Sequence, residues 1–283
     1  MQNTMIKPFV YFGTPYVASD TLAYLLEHGY KPSVVVTSPD APRGRGLVLT
    51  PSETKVLALE HGIPVLTPEK ITDAVVAEIA SYECEYGIVV AYGKILPESL
   101  IQAFPLGLIN VHYSLLPKYR GASPVESALR NGDAVTGVAI QQLVYQLDAG
   151  DILASVEFPI DASETTRELR PRLVAIGAEL LVSLLPSFES GTATRTPQDH
   201  TQATRCGKIL KSEGELNLED DAQKNWNTYR ALAESPGTYF FADRHGKRVR
   251  VKILTATYNG TAFTPDRIIP EGKQEMSYKD FMR

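Results

Sequence analysis

The sequence has few of the residues that would place it in several large protein classes. Its 283 residues include two cysteines, Cys84 and Cys206, which lie far apart and lack the spacing of a disulfide framework or a metal site. The longest apolar stretches, such as residues 178–185, are too short to cross a bilayer. No basic segment followed by an apolar core and a cleavage site begins the chain. We therefore expect a cytoplasmic protein with no membrane partner and no bound metal.

The chain also lacks the glycine pattern of a dinucleotide-binding turn. A predicted strand at residues 9–12 is followed by Gly13-Thr14-Pro15, whereas that fingerprint reads Gly-x-Gly-x-x-Gly. A helical pattern and a second apolar strand come next, and this alternation continues for four strand–helix units. Such alternation predicts a doubly wound, Rossmann-like α/β sheet. The turn chemistry gives no reason to add a nicotinamide cofactor.

The chain is organised around the stretch at residues 107–121. A strand is predicted at residues 108–112, with Ile109 and Val111 on one face and Asn110 and His112 on the other. An amide can hold an oxyanion, and an imidazole can take or relay a proton. This pair at a strand end suits a reaction that builds negative charge on oxygen while moving a proton. The same pattern is more often an ordinary strand edge with two polar residues.

A long loop rich in proline, glycine and arginine occupies residues 38–52. Long loops inside compact domains are more often functional than idle. Its Arg43 and Arg45 are candidate contacts for phosphate groups. A solvated crossover without a ligand is the alternative.

Charge divides unevenly along the chain. Residues 1–204 carry 14 Lys and Arg against 22 Asp and Glu, and residues 205–283 carry 14 against 11. The last 79 residues are thus basic, which favours a polyanionic partner such as nucleic acid, or simply a solvated surface. Residues 190–204 lack hydrophobic periodicity and are interpreted as a linker. We therefore predict a catalytic domain at 1–189, this linker, and a small β-domain of short strands at 205–283.

Three motifs of the chain occur together: Asn110-x-His112, the loop Ser-Leu-Leu-Pro-Lys-Tyr-Arg-Gly at 114–121, and Leu-Asp-Ala-Gly-Asp at 147–151. In this combination the chain resembles the formyltetrahydrofolate-dependent formyltransferases, closely over about residues 6–204 and more loosely over the remainder. The Gly13-Thr14-Pro15 turn and the Arg-Gly-Arg-Gly loop favour the tRNA branch of that family.

The resemblance implies a formyltransferase domain followed by a small OB-like β-domain, shortened here, that binds tRNA. The implied reaction transfers the formyl group of 10-formyltetrahydrofolate to the free amine of methionine on initiator tRNA. The implied protein is a monomer that needs no metal. An amino-sugar nucleotide or another small amine is the alternative acceptor. Water as the acceptor, giving a folate deformylase, and a non-catalytic RNA-binding module are further alternatives.

The resemblance also assigns the site residues. Asn110, His112 and Asp148 form the catalytic trio, with Asp148 orienting the imidazole or binding a water, although Asp151 is a rival and Asp148 could merely form a turn. Either His112 or a water makes the first proton transfer. Arg43 and Arg45 contact the tRNA acceptor end. The residues implied to line the folate pocket are Tyr92, Gly93, Ile95, Leu96, Ser114, Leu115, Leu116, Pro117 and Leu147.

One residue beside the trio departs from the family pattern. Tyr113 stands where members of the family usually have glycine. Because it directly follows His112, we expect it to narrow or reshape the side of the site that receives the amine.

Overall fold

The computed structural model describes residues 6–44, 46–244 and 246–283. Their strands are β1 (Phe9–Gly13), β2 (Val34–Val36), β3 (Ala41–Arg43), β4 (Val48–Thr50), β5 (Val65–Leu66), β6 (Tyr86–Val90), β7 (Gly107–His112), β8 (Arg120–Gly121), β9 (Val135–Gln142), β10 (Ile152–Pro159), β11 (Arg205–Cys206), β12 (Thr238–Arg244), β13 (Lys247–Tyr258), β14 (Phe263–Pro270) and β15 (Met276–Ser277). Their helices are α1 (Tyr16–Glu27), α2 (Glu53–Glu60), α3 (Asp73–Ala80), α4 (Glu98–Ile101), α5 (Pro124–Asn131), α6 (Thr166–Glu189), α7 (Ala222–Leu232) and α8 (Tyr278–Phe281).

A seven-stranded sheet forms the centre of the larger part of the chain. Its strand order is β10-β9-β7-β6-β1-β2-β5. The pairs from β7 through β6, β1 and β2 to β5 are all parallel, and β7 pairs with β9 in the antiparallel sense. This arrangement confirms the predicted α/β class. It also places β7 at the change from parallel to antiparallel pairing.

The central strands are buried on both faces. Every residue of β1, β2 and β6 is buried, as expected for parallel strands that carry continuous apolar runs between two helical layers. Tyr86 in β6 stacks on Phe9 in β1, with ring centroids 5.2 Å apart. The rigid centre of the sheet therefore supports the polar residues at the strand ends.

The longest helix, α6, is apolar enough in length and composition to cross a membrane. Its side chains Leu169, Leu173, Leu181 and Leu185 are fully buried within the fold, which is the pattern of a core helix. The sequence places an N-cap at Ser163, but the helix begins at Thr166. Just before the helix, two residues after Ser163, the backbone nitrogen and the hydroxyl of Thr165 both donate hydrogen bonds to the Glu168 carboxylate.

The chain divides into two compact units. The first runs to Arg120 and includes Gly137–Glu157 and Pro171–Arg205, and the second consists of Gly121–Thr136, Phe158–Arg170 and Cys206–Arg283. The division interleaves along the sequence, and the domain boundaries near residues 189 and 205 stay a prediction.

The second unit is built on the antiparallel sheet β12-β13-β14-β15. Its core holds Phe240, Val251 and Ile253, with Trp226 and Tyr229 of α7 packed against them. These two rings stack on each other at 5.6 Å. They therefore support the sheet, as their helical spacing predicts.

Candidate active site

Asn110 and His112 lie at the carboxyl end of β7, where the predicted strand alternation places them. Asn110 is opposite Val89 of β6 in the parallel pair and opposite Gln141 of β9 in the antiparallel pair. Directly opposed residues in a sheet project from the same face. Asn110, His112 and Gln141 therefore share one face of the sheet.

The opposite face of β7 packs against helix α6. A β-carbon at Gly177 would lie 3.2 Å from Cγ1 of Val111 and 3.4 Å from Cε1 of Tyr113. The Tyr113 ring is buried and points away from His112. The expectation that Tyr113 narrows the amine side of the site is therefore wrong, because strand alternation turns its side chain towards α6.

The imidazole of His112 is 5% exposed and is held by a backbone carbonyl. Its Nε2 lies 2.9 Å from the carbonyl oxygen of Tyr119. Since a carbonyl only accepts, Nε2 carries the proton and donates it to this bond. Nδ1 is then the nitrogen left to accept a proton. Nδ1 lies 3.8 Å from Oδ2 of Asp148, so a proton on Nδ1 would lie close to a negatively charged carboxylate.

Asp148 is fixed by the turn that carries it. Its backbone is left-handed, with φ 49°, and its Oδ1 accepts a hydrogen bond of 2.8 Å from Nε2 of Gln141. The turn packs tightly on β9, because a β-carbon at Gly150 would lie 1.8 Å from the carbonyl oxygen of Gln142. Only glycine fits at that position. The carboxylate therefore has a defined orientation towards His112.

These contacts bear on the interpretations of the acidic turn. The Asp148 carboxylate accepts a bond from a neighbouring strand, and its Oδ2 faces His112. A role as a simple turn former does not require either contact. The geometry favours Asp148 over Asp151 as the partner of the imidazole.

Three buried polar residues next to the trio were not predicted. Gln141, Gln198 and Arg120 are 2%, 6% and 3% exposed. Gln198 lies in the segment interpreted as a linker, and its amide bonds to the carbonyl of Asp148 at 3.0 Å. Arg120 lies within the motif at 114–121, which could have marked it. Strand register and long-range packing bring Gln141 and Gln198 to the site, and no local sequence signal marks those two.

The residues proposed to line the folate pocket divide into those that are at least partly exposed and those that are buried. Ile95 and Leu147 are apolar yet 88% and 66% exposed, which is unusual outside a binding surface. Leu115 and Pro117 are half-buried. Gly93 is exposed with φ 78°. The buried group consists of Tyr92, Leu96, Ser114 and Leu116.

The buried members shape the loops rather than present a side chain to solvent. Ser114 donates a 2.6 Å hydrogen bond to the carbonyl of Lys118 and so closes the loop after β7. Tyr92 packs edge-on against Phe12, with centroids 5.6 Å apart. Burial raises the pKa of Tyr92 to about 12. Its hydroxyl has no hydrogen-bond partner within the described chain.

The loop proposed to contact tRNA contains the hairpin β3–β4. Arg43 forms a bidentate ion pair with Glu53, and that bond raises the pKa of Arg43. Arg45 lies outside the described residues. The hairpin also presents the apolar side chains of Leu47, Val48 and Leu49, which are 72%, 66% and 66% exposed.

A basic and aromatic face lies on β12 and β13 of the second unit. The strand register places Tyr239 opposite Lys252 and Phe241 opposite Arg250. The Arg250 guanidinium lies 3.8 Å from the centre of the Tyr239 ring. Arg250 and Lys252 also line a cleft of about 520 Å³. We call this surface the β12–β13 face.

The part of the chain that the structure describes contains no cluster of three His, Cys, Asp or Glu side chains that could hold a metal ion. The candidate site brings together the Asn110 amide, the His112 imidazole and the Asp148 carboxylate. An amide can donate a hydrogen bond to an oxyanion, and an imidazole beside a carboxylate can transfer a proton.

Comparison with known proteins gives a family. The model of the formyl transferase family matches residues 9–185. The methionyl-tRNA formyltransferase of Sulfurihydrogenibium sp. (strain YO3AOP1) is 39% identical over 94% of this chain and 86% of its own length. That of Lactobacillus johnsonii is 35% identical over 96% of this chain and 94% of its own length.

Solved structures show the same fold at lower identity. An N-formyltransferase from Helicobacter canadensis, in complex with folinic acid and dTDP-3-aminofucose, superposes with a TM-score of 0.65 at 19% identity, over 96% of this chain and 99% of that one. A 4-N formyltransferase from Francisella tularensis gives a TM-score of 0.68 at 16% identity, over 89% and 99%. Taken with the matching relatives, these findings show that the chain belongs to the methionyl-tRNA formyltransferases of the formyl transferase family.

Proposed function

We propose that the protein transfers the formyl group of 10-formyltetrahydrofolate to the free amine of methionine on initiator tRNA. The observation that carries the proposal is the grouping of Asn110, His112 and Asp148 at the end of β7, in a chain that belongs to this family. Formyl transfer needs a donor for a developing oxyanion and a group that moves a proton. The trio supplies both.

Asn110 is the proposed oxyanion donor. It is half-buried and shares a face of the sheet with His112 and Gln141. When the amine adds to the formyl carbon, the carbonyl oxygen becomes negative, and the Asn110 amide donates to it. One such donor is typically worth about 10²–10³ in turnover.

His112 is the proposed proton carrier. The amine must lose a proton, and the folate nitrogen that leaves must gain one. With Nε2 donating to Tyr119, Nδ1 of His112 is the basic atom, directly or through a water. Asp148 lies beside it and stabilises the imidazolium by charge. No covalent intermediate on the protein is required.

The exposed apolar residues fit a flat, partly apolar formyl donor. Ile95 lies in the loop after β6, the strand that pairs with β7, and Leu147 directly precedes Asp148. Leu143, at the start of the loop that carries Leu147, packs against the core cluster that contains Tyr92 and Leu96. We propose that the loop at 91–96 and the loop at 143–148 bind the donor on either side. Ser114 and Leu116 act by holding the loop backbone.

The tRNA is proposed to use two surfaces. The β3–β4 hairpin, with Arg43, Arg45 and its exposed apolar residues, contacts the acceptor end. In the proposed domain at 205–283, the β12–β13 face holds phosphates through Arg250, whose guanidinium lies against the ring of the buried Tyr239, since basic groups contact the RNA backbone. We further propose that the protein is cytoplasmic and acts as a monomer. Light scattering at working concentration tests whether it is a monomer.

The direct test is formyl transfer with 10-formyltetrahydrofolate and methionine-charged initiator tRNA. Parallel reactions use a charged elongator tRNA, an amino-sugar nucleotide and no acceptor. We expect formylation of the initiator alone. Formylation of the sugar, or release of formate without an acceptor, would overturn the proposed acceptor while leaving the chemistry of the trio intact.

A further inference from the structure

A buried chain of hydrogen bonds leads from Arg120 to the Asp148 carboxylate. Arg120 donates from Nε and Nη2 to Oε1 of Gln198, at 3.1 and 2.6 Å. Gln198 donates from Nε2 to the carbonyls of Asp148 and Gly150, at 3.0 and 2.6 Å, and lies 3.3 Å from Oε1 of Gln141. The chain ends where Gln141 donates to Asp148.

The orientation of the Gln198 amide follows from its partners. A guanidinium only donates, so the atom that faces Arg120 is the oxygen. Backbone carbonyls only accept, so the atom that faces Asp148 and Gly150 is the nitrogen. Both ends of the amide are therefore used, and a flipped amide would oppose donor to donor and acceptor to acceptor.

The bonds along this chain all point the same way. Each donor directs its hydrogen towards Asp148, from the Arg120 cation through Gln198 and Gln141. Hydrogen bonds aligned in this way polarise one another in a low-dielectric site. Burial lowers the pKa of Arg120, and the charge of Asp148 acts against that effect. The chain thus joins a buried cation to the carboxylate that faces His112.

The same segment also holds the loop that fixes the imidazole. Oγ1 of Thr204 accepts a 2.8 Å bond from the backbone nitrogen of Tyr119. The carbonyl of Thr204 accepts a 2.9 Å bond from the nitrogen of Arg120. Because the carbonyl of Tyr119 accepts from His112, residues 198 and 204 hold the partners of both sides of the imidazole.

We infer that the segment at residues 198–204 positions the catalytic pair, with Gln198 as the positioning residue for Asp148 and Thr204 as that for His112. The inference deepens the proposed function and rests on it. The segment was interpreted as a linker because its residues show no periodicity, but its polar side chains bind the two loops on which the reaction depends. A misplacement of about 1 Å at such a site costs roughly 100-fold in rate.

The test compares Gln198→Met with Gln274→Met. Methionine keeps the length of the glutamine side chain and removes every donor and acceptor. Gln274 is exposed and lies outside the site, so its variant controls for the chemical change. We expect Gln198→Met to lower kcat about 10- to 100-fold, with the KM of both substrates nearly unchanged. Gln198→Glu keeps an acceptor for Arg120 but turns a carboxylate towards two carbonyls, and should be at least as slow.

A spectroscopic measurement separates positioning from mere folding and from failure of the proposed function. The imidazole ¹⁵N signals of His112, assigned with His112→Gln, should move in Gln198→Met and in Thr204→Val, and stay in place in Gln274→Met, whatever acceptor the enzyme uses. Equal kcat and unchanged ¹⁵N signals in Gln198→Met would overturn the inference. So would a loss of kcat matched by a lower melting temperature and by higher KM values, since that pattern marks a structural role alone.

Discussion

Asn110 and Gln141 lie directly opposite each other across the antiparallel pair of β7 and β9. Gln141 donates to the Asp148 carboxylate at 2.8 Å, whereas the half-buried Asn110 lies at the carboxyl end of β7. We propose that the two amides have different tasks: Gln141 orders the carboxylate, and Asn110 binds the substrate.

This division of tasks predicts the behaviour of Asn110→Ala. We expect kcat to fall about 10²- to 10³-fold, while the KM for the formyl donor changes little, because the lost bond forms only when the oxyanion forms. Steady-state kinetics with saturating tRNA check this. Asn110→Asp should fall at least as far, since a carboxylate repels the oxyanion. A rate close to that of the wild type in either variant would remove Asn110 from the mechanism.

The sequence predicts the sheet and the face of β7 because both depend on local periodicity. Alternation places Asn110 and His112 together whatever the rest of the chain does. Local periodicity does not distinguish Asp148 from Asp151, because the orientation of their turn depends on the close approach of Gly150 to β9. It also missed Gln198, because a residue without a periodic pattern is placed only by contacts far away in sequence. The expectation for Tyr113 relied on its being next to His112 in sequence. Strand alternation, which is also local, turns the Tyr113 side chain to the opposite face of β7.

Two buried tyrosines near opposite ends of β6 should respond differently to loss of the hydroxyl. Tyr86 donates to Oε1 of Glu189 at 2.8 Å, whereas the Tyr92 hydroxyl has no partner in the described part of the chain. Tyr86→Phe leaves a buried carboxylate short of a donor and should cost about 1–3 kcal/mol of the free energy of unfolding. Tyr92→Phe should leave that free energy unchanged or raise it. Urea unfolding of the two variants measures both effects, and equal destabilisation would contradict the assignment.

Tyr92→Phe also tests the folate pocket. If only the backbone of the 91–96 loop contacts the donor, the KM for 10-formyltetrahydrofolate stays at the wild-type value. A clear rise in that KM would instead show that the hydroxyl finds its partner on the donor.

The ion pair between Arg43 and Glu53 should compete with tRNA. The hydrogen bond from Arg43 lowers the pKa of Glu53 below its ordinary value of 4.5. The stabilisation from this pair is therefore complete at neutral pH and is lost as the pH falls through the lowered pKa. Glu53→Gln weakens the competition and should tighten tRNA binding a few-fold at most, about what an exposed ion pair contributes.

Glu60→Gln is the matched control for this competition. It removes the same charge from an exposed position at the end of the same helix, α2. Binding of labelled tRNA to the two variants at equal salt separates the local effect from the change in net charge. An equal gain in both would show that only net charge matters and that Arg43 is no tRNA contact.

The β12–β13 face should reveal itself through the salt dependence of tRNA binding. Arg250 is exposed and stacks on Tyr239, so Arg250→Gln removes one phosphate contact and one partner of the ring. We expect weaker tRNA binding and a slope of log K against log salt that is smaller by about 1. With saturating tRNA, kcat should stay at the wild-type value, because the face is not part of the trio. Lys279→Gln, an exposed charge on α8, should leave the slope unchanged. If both variants bind tRNA like the wild type across the salt range, tRNA is held elsewhere and the β12–β13 face has another partner.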